Sequence, residues 1–195
     1  MRIHVTRLSD YQWLCSLGSD QHGLGGSLAC AGKMLFVRSW CNVTALNFEK
    51  WHPRGPVCAP SWQKRVQSTF SIASGHGLAT IGDELVACDT HGDRLLFFSS
   101  GGSFLRSVGS RGTAPGQFID PIGVAVAHGR LYVAERRGKR VQVMSLKGES
   151  LQVLPTPNKG RPIGIAADPE RVRLYVITEF DAGRSTGGLH IYAAA

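Results

Sequence analysis

Apolar residues in this chain gather in short runs separated by small clusters of Gly, Asp, His, Lys and Arg. The clearest stretch is Gly116–Met144, GQFIDPIGVAVAHGRLYVAERRGKRVQVM. GVAVA (Gly123–Ala127) is a near-continuous apolar run, and RLYVAE (Arg130–Glu135) is rich in β-formers and closed by a carboxylate. RVQVM (Arg140–Met144) opens on an arginine and alternates apolar with polar. His128-Gly129 and Arg136–Lys139 between them are turn-like, so the pattern predicts three strands in an antiparallel meander. Three short strands alone bury too little apolar area to be stable.

The pattern recurs. GLATIGDELVACDTHGDRLLFF (Gly77–Phe98) matches GVAVAHGRLYVAERRGKRVQVM (Gly123–Met144) without a gap, at a period of 46 residues. Gly77 answers Gly123, Asp89 answers Glu135, and Arg94 answers Arg140. A third copy starts at Gly164 with GIAADPERVRLYVIT and ends in LHIY (Leu189–Tyr192). A weaker one is SLACAGKMLFVRSW (Ser27–Trp40) followed by VTALNF (Val43–Phe48). GGSFLRSVG (Gly101–Gly109) and KGESLQVL (Lys147–Leu154) add a fourth strand to the two best copies. Four strands per unit at this period predict the blade of a β-propeller. RIHVT (Arg2–Thr6) and WLCSLGS (Trp13–Ser19) echo a blade's second half, so the chain enters inside a blade. Residues 49–72, with three prolines and two tryptophans, read as a loop followed by an outer strand within Gln63–Ile72.

GQFIDPIGVAV, LYVAE and KRVQV resemble the NHL-repeat β-propeller motif, of the form GxFxxPxGVAVDxxGxIYVADxxNxRIQVF. The resemblance is clearest from Gly77 onward. The motif's Asn-His pair is answered by Gly92-Asp93 and Gly138-Lys139, and its acidic position by Asp89, Glu135 and then Thr178. It implies an all-β propeller of NHL type in a single domain over residues 1–195. Four blades are recognisable: 23–72 (divergent), 73–115, 116–157 and 158–195 (incomplete), preceded by a partial blade at 1–22. The family closes with about six blades, so an incomplete ring is expected, one piece of a longer parent chain with further blades or domains. The alternative is a small closed ring in which Trp13–Leu17 supplies the last blade's fourth strand.

Candidate chemistry is sparse. Asp89…Arg94 and Glu135…Arg140 share a five-residue spacing across the second turn, which places carboxylate and guanidinium at facing strand ends. Repetition in two blades marks them as structural pins rather than a charged site. Some propellers that cleave peptidyl-hydroxyglycine hold zinc with channel histidines, and His76 precedes an inner strand where other copies carry Ile122 and Ile163. No second ligand stands at a matching position, and His128 lies at the opposite turn. The five cysteines (Cys15, Cys30, Cys41, Cys58, Cys88) are odd in number and never spaced C-x-x-C, which suits small core residues in a reducing compartment. GLGG (Gly23–Gly26) is no phosphate loop, and no serine sits in G-x-S-x-G. No catalytic residue, metal site or cofactor is expected, and the lyase or hydrolase class ranks last.

The 195 residues carry a formal net charge of +8 and are 43% hydrophobic, ample for a core. The N-terminus lacks an apolar h-region and no window approaches a membrane span, so a cytoplasmic location without membrane contact is expected. In a propeller of this topology one rim collects the second-to-third-strand turns and the connections between blades. There lie Arg38, Trp40, Arg111, Arg136, Arg137, Lys139, Lys159, Arg161 and Arg184, against Asp93, Asp120, Glu179 and Asp181. The leading expectation is a non-catalytic scaffold that binds protein or peptide on this rim. The alternative is RNA, held through phosphates on the same basic face, although Trp40 is the one clear stacking aromatic there.

Overall fold

A computed structural model describes residues 3–6, 13–17, 28–31, 34–39, 42–47, 77–168, 170–179 and 187–193. All regular structure among them is strand, apart from a single 3-10 turn at Pro157–Lys159. β1 (Ile3–Thr6) pairs with β2 (Trp13–Leu17), and β3 (Leu28–Ala31), β4 (Met34–Ser39) and β5 (Asn42–Asn47) form a three-stranded sheet. β6 (Leu78–Ile81), β7 (Glu84–Asp89), β8 (Arg94–Ser99) and β9 (Phe104–Val108) form a four-stranded one. So do β10 (Pro121–Ala127), β11 (Arg130–Glu135), β12 (Arg140–Ser145) and β13 (Ser150–Pro155). β14 (Arg161–Asp168), β15 (Arg173–Glu179) and β16 (Gly188–Ala193) close the series. Spatial order follows chain order within each sheet, and every pairing is antiparallel.

Turn chemistry explains the meanders. His128 (φ 50) and Gly129 (φ 69) are both left-handed, the type I′ geometry whose twist matches the flanking strands. Strand alternation then sends one set of side chains to each neighbouring sheet. Leu85, Ala87, Leu96 and Phe98 meet Ala29, Phe36 and Val43 of the sheet before, while Val86, Cys88, Leu95 and Phe97 meet Val124, Leu131, Val133 and Met144 of the sheet after. Tyr132, Val141 and Val143 pack in turn on Leu174 and Val176. Each large apolar side chain so buried contributes about 1.5–3 kcal/mol. The core is therefore a succession of sheet-to-sheet contacts.

The inner strands approach closely because of their glycines. A Cβ on Gly77 would lie 2.7 Å from the backbone nitrogen of Val124, leaving no room for a side chain. Gly77, Gly123 and Gly164 line one hollow of about 260 Å³, together with Leu28, Leu78, Ile122 and Ile163. The repeat glycines thus gather around a common hub. The molecule is an all-β propeller, and among the described residues its sheets do not close into a ring. Leu28, which occupies the position of the buried Leu78 and Val124, is 57% exposed. The small-ring alternative, with Trp13–Leu17 as the last blade's fourth strand, is not what the described residues form: β2 pairs with β1 and not with the sheet of β14, β15 and β16. The outer strand expected within Gln63–Ile72 lies outside the described residues.

Candidate functional site

The rim expected from the sequence is assembled by four segments: the turns 90–93 and 136–139 and the connections 109–120 and 156–160. Asp89 Oδ2 accepts from Arg94 Nε at 2.9 Å, and Glu135 Oε1 accepts from Arg140 Nε at 2.7 Å. Both carboxylates are buried. Glu135 does more than pair. Its Oε2 accepts the Ile119 N–H at 2.8 Å, and Gln142 Nε2 donates to its Oε1 at 2.7 Å. Arg140 and Gln142 also donate to the Gln117 carbonyl, at 2.8 and 2.6 Å. The network clamps the connection between β9 and β10 onto the next blade, with Phe118 fully buried beneath it. Burial raises the Glu135 carboxyl above its ordinary range, outweighing the bonds from Arg140, Gln142 and Ile119 that pull it down.

Gly138 is part of the same device. A Cβ there would lie 2.5 Å from Glu135 Oε2, so a carboxylate folded back over the turn requires glycine. Gly92 lies equally close over Asp89, which explains why both copies depart from the motif in the same way. Asp93, read from sequence as a rim acid, is buried. It accepts the Asp120 N–H at 2.8 Å and pairs with Arg111 at 3.3 Å. In the last blade the acid becomes Thr178, fully buried and 2.9 Å from His190 Nε2, while the partner arginine becomes Gly188.

Three of the rim arginines, Arg111, Arg136 and Arg137, stand beside acids. Arg136 Nε lies 3.7 Å from Asp120 and 3.6 Å from Glu179, and Arg137 Nε lies 3.7 Å from the same Asp120 oxygen. These spacings are too long for hydrogen bonds but short enough for charge attraction. Lys139 (φ 54) presents its carbonyl to the Thr156 N–H and hydroxyl, at 3.1 and 2.8 Å. Lys159 is exposed and Arg161 half-buried. Arg38 lies on β4, paired with Val43, and nothing is described of its side chain. Trp40, His76 and Arg184 lie outside the described residues.

Sequence reasoning missed Gln142, whose buried amide binds across 25 residues, and two tyrosines that read only as β-formers. Tyr132 and Tyr192 line a groove of about 140 Å³ between the last two sheets. Neither buried hydroxyl has a hydrogen-bond partner among the described residues, at a cost of about 1–3 kcal/mol each. Burial also pushes the Tyr192 phenol up. Among the described residues no group of three or more His, Cys, Asp or Glu could hold a metal ion, and no helix is long and apolar enough to cross a membrane.

No family model matches this sequence, and no curated protein matches it. Solved structures do. Hydrazine synthase from Kuenenia stuttgartiensis is similar at 16% identity and a TM-score of 0.63, over 91% of this chain and 47% of that one. Glutaminyl cyclase from Myxococcus xanthus is similar at 17% identity and 0.54, over 85% and 72%. A nidogen/laminin complex is similar at 13% identity and 0.66, over 91% and 64%. At these identities the likeness defines the fold, a β-propeller, and the chain spans about half the length of the hydrazine synthase chain.

Proposed function

We propose that this protein is a non-catalytic scaffold of NHL-repeat type, which binds a protein or peptide on the rim built from residues 90–93, 109–120, 136–139 and 156–160. The observation that carries the reading is that three of the rim arginines stand against acids. Arg111 stands against Asp93, and Arg136 and Arg137 stand against Asp120, with Glu179 beyond. A surface of interleaved signs suits the mixed side chains of a protein partner better than a run of phosphates. The clamped loops add preorganisation, which spares a partner the entropy of ordering them. One propeller of similar fold was solved as a nidogen/laminin complex. NHL membership rests on the GQFIDPIGVAV, LYVAE and KRVQV segments.

The RNA alternative draws on Lys139, Lys159 and Arg161 beside the paired arginines. Affinity capture with the wild-type chain and with an Arg136→Gln, Arg137→Gln, Lys139→Gln variant separates the two. A protein partner retained at moderate salt and lost in the variant supports the scaffold. Recovery of RNA alone, released steeply by added salt, overturns it. A cytoplasmic location and further blades in a longer parent chain belong to the same proposal, the location resting on the odd number and irregular spacing of the cysteines.

A further inference from the structure

Arg111 and Arg137 flank one short run of backbone, Phe118–Asp120. Arg111 bridges to Phe118, and its neighbours bond the same residue: the Phe118 N–H donates to the Ser110 carbonyl at 2.8 Å, and the Gly112 N–H to the Phe118 carbonyl at 3.0 Å. On the other side the Arg136 N–H donates to the Asp120 carbonyl at 2.9 Å and the Gly138 N–H to the Ile119 carbonyl at 3.1 Å, which holds Arg137 between them. Chains paired in this way lie about 4.8 Å apart, so the two arginines leave the backbone roughly 10 Å from each other. Their acids lie beneath them. Asp93, with a side chain 6% exposed, meets Arg111 Nη1 at 3.3 Å, and Asp120, 19% exposed, faces Arg137 Nε at 3.7 Å. Asp93 also accepts the Asp120 N–H at 2.8 Å, which joins the two supports. The arginine side chains are 76% and 69% exposed, so each guanidinium keeps donors turned to solvent. Arg136, by contrast, is taken up between Asp120 and Glu179.

We infer that Arg111 and Arg137 form a paired carboxylate receptor, and that the partner on this rim is an extended acidic segment with two Asp or Glu side chains on one face. The inference rests on the scaffold reading and names the chemistry of its ligand. A guanidinium braced from below by a sunken acid presents its planar fork outward, the shape that a carboxylate meets with two parallel hydrogen bonds. Side chains on one face of an extended segment recur about every 7 Å, so acids two or four residues apart reach both arginines. The net charge of +8 draws such a segment in. Single-stranded RNA fits this surface less well. The one Phe, Tyr or Trp in the four rim segments is Phe118, which is buried, so no base can stack on it.

The test pans a phage-displayed library of random peptides on the full chain, then measures the enriched peptides, made synthetically, by fluorescence anisotropy. Enrichment of Asp or Glu at positions two or four apart is expected. Arg111→Lys and Arg137→Lys should each weaken binding about tenfold, because lysine keeps the charge and loses the fork. Exchanging the peptide's acids for Asn or Gln should abolish binding. That exchange leaves the protein untouched, so a folding defect in an arginine variant does not obscure the result. Enriched peptides without paired acids, or binding indifferent to both lysine variants, overturn the inference while the scaffold reading stands. Failure to enrich any peptide overturns it too; if an oligouridylate then binds and is released by salt, the scaffold reading falls with it.

Discussion

A methyl group on Gly123 would sit 2.8 Å from Cγ2 of Ile165, nearer than side chains approach one another. Gly123 belongs to β10 and Ile165 to β14, so this contact sets how closely two successive blades meet at the hub. Gly123→Ala should destabilise the fold by about 1–3 kcal/mol through overpacking. Removing Cγ2 with Ile165→Ala in the same chain should make the double variant lose less than the two single changes together, a non-additivity readable in urea unfolding. Strict additivity of the two changes would mean that the blades do not meet there.

Glu135 offers a prediction in pH. Its folded-state pKa is raised above the ordinary 4.5 by burial, so the folded chain binds the proton more tightly than the unfolded one. Stability contributed by this group is therefore fully present below the unfolded value and falls as pH climbs from there through the raised value. Glu135→Gln removes the titration while keeping an acceptor for Ile119. The stability of wild type relative to this variant should decline with rising pH above 4.5 and then level off. A difference that grows over the same range would show that the Arg140 pair, not burial, dominates.

Phe118 ties the rim to the core. It is fully buried, and its backbone N–H donates to the Ser110 carbonyl at 2.8 Å while its own carbonyl accepts from Gly112 at 3.0 Å. Phe118→Ala should cost about 3–5 kcal/mol. Hydrogen exchange should show the loss concentrated at 109–120, with β11 and β12 keeping their protection. Uniform loss of protection would place this connection within the global folding unit.

The strands and hub were legible because they depend on short-range facts. Glycine positions, apolar alternation and the Asp89–Arg94 and Glu135–Arg140 spacings all lie within a single repeat. The pairs that define the rim span longer separations. Asp93 meets Asp120 across 27 residues, and Gln142 meets Gln117 across 25, so no local pattern announced that an aspartate and a glutamine would be buried. The same holds for Tyr132 and Tyr192, which share a groove only because two sheets stack. The choice of an incomplete ring over a small closed one was legible, because it turned on a local pairing. Arg2–Thr6 and Trp13–Ser19 echo the last two strands of one blade in sequence, and β1 does pair with β2.

The outward face of the last sheet brings together Gly164, Ala166, Tyr175, Ile177, Leu189 and Ile191 by register. Their counterparts one blade earlier include Tyr132, Ala134, Val141 and Val143, all buried. Ile177 is instead 50% exposed, so a blade-packing surface faces solvent at the end of the arc. Ile177→Lys should then change unfolding free energy by no more than about 0.5 kcal/mol, as surface substitutions do, while raising solubility at high protein concentration. A loss of about 2 kcal/mol or more would instead mean that this face is covered in solution, because a lysine buried without a partner is destabilising on that scale.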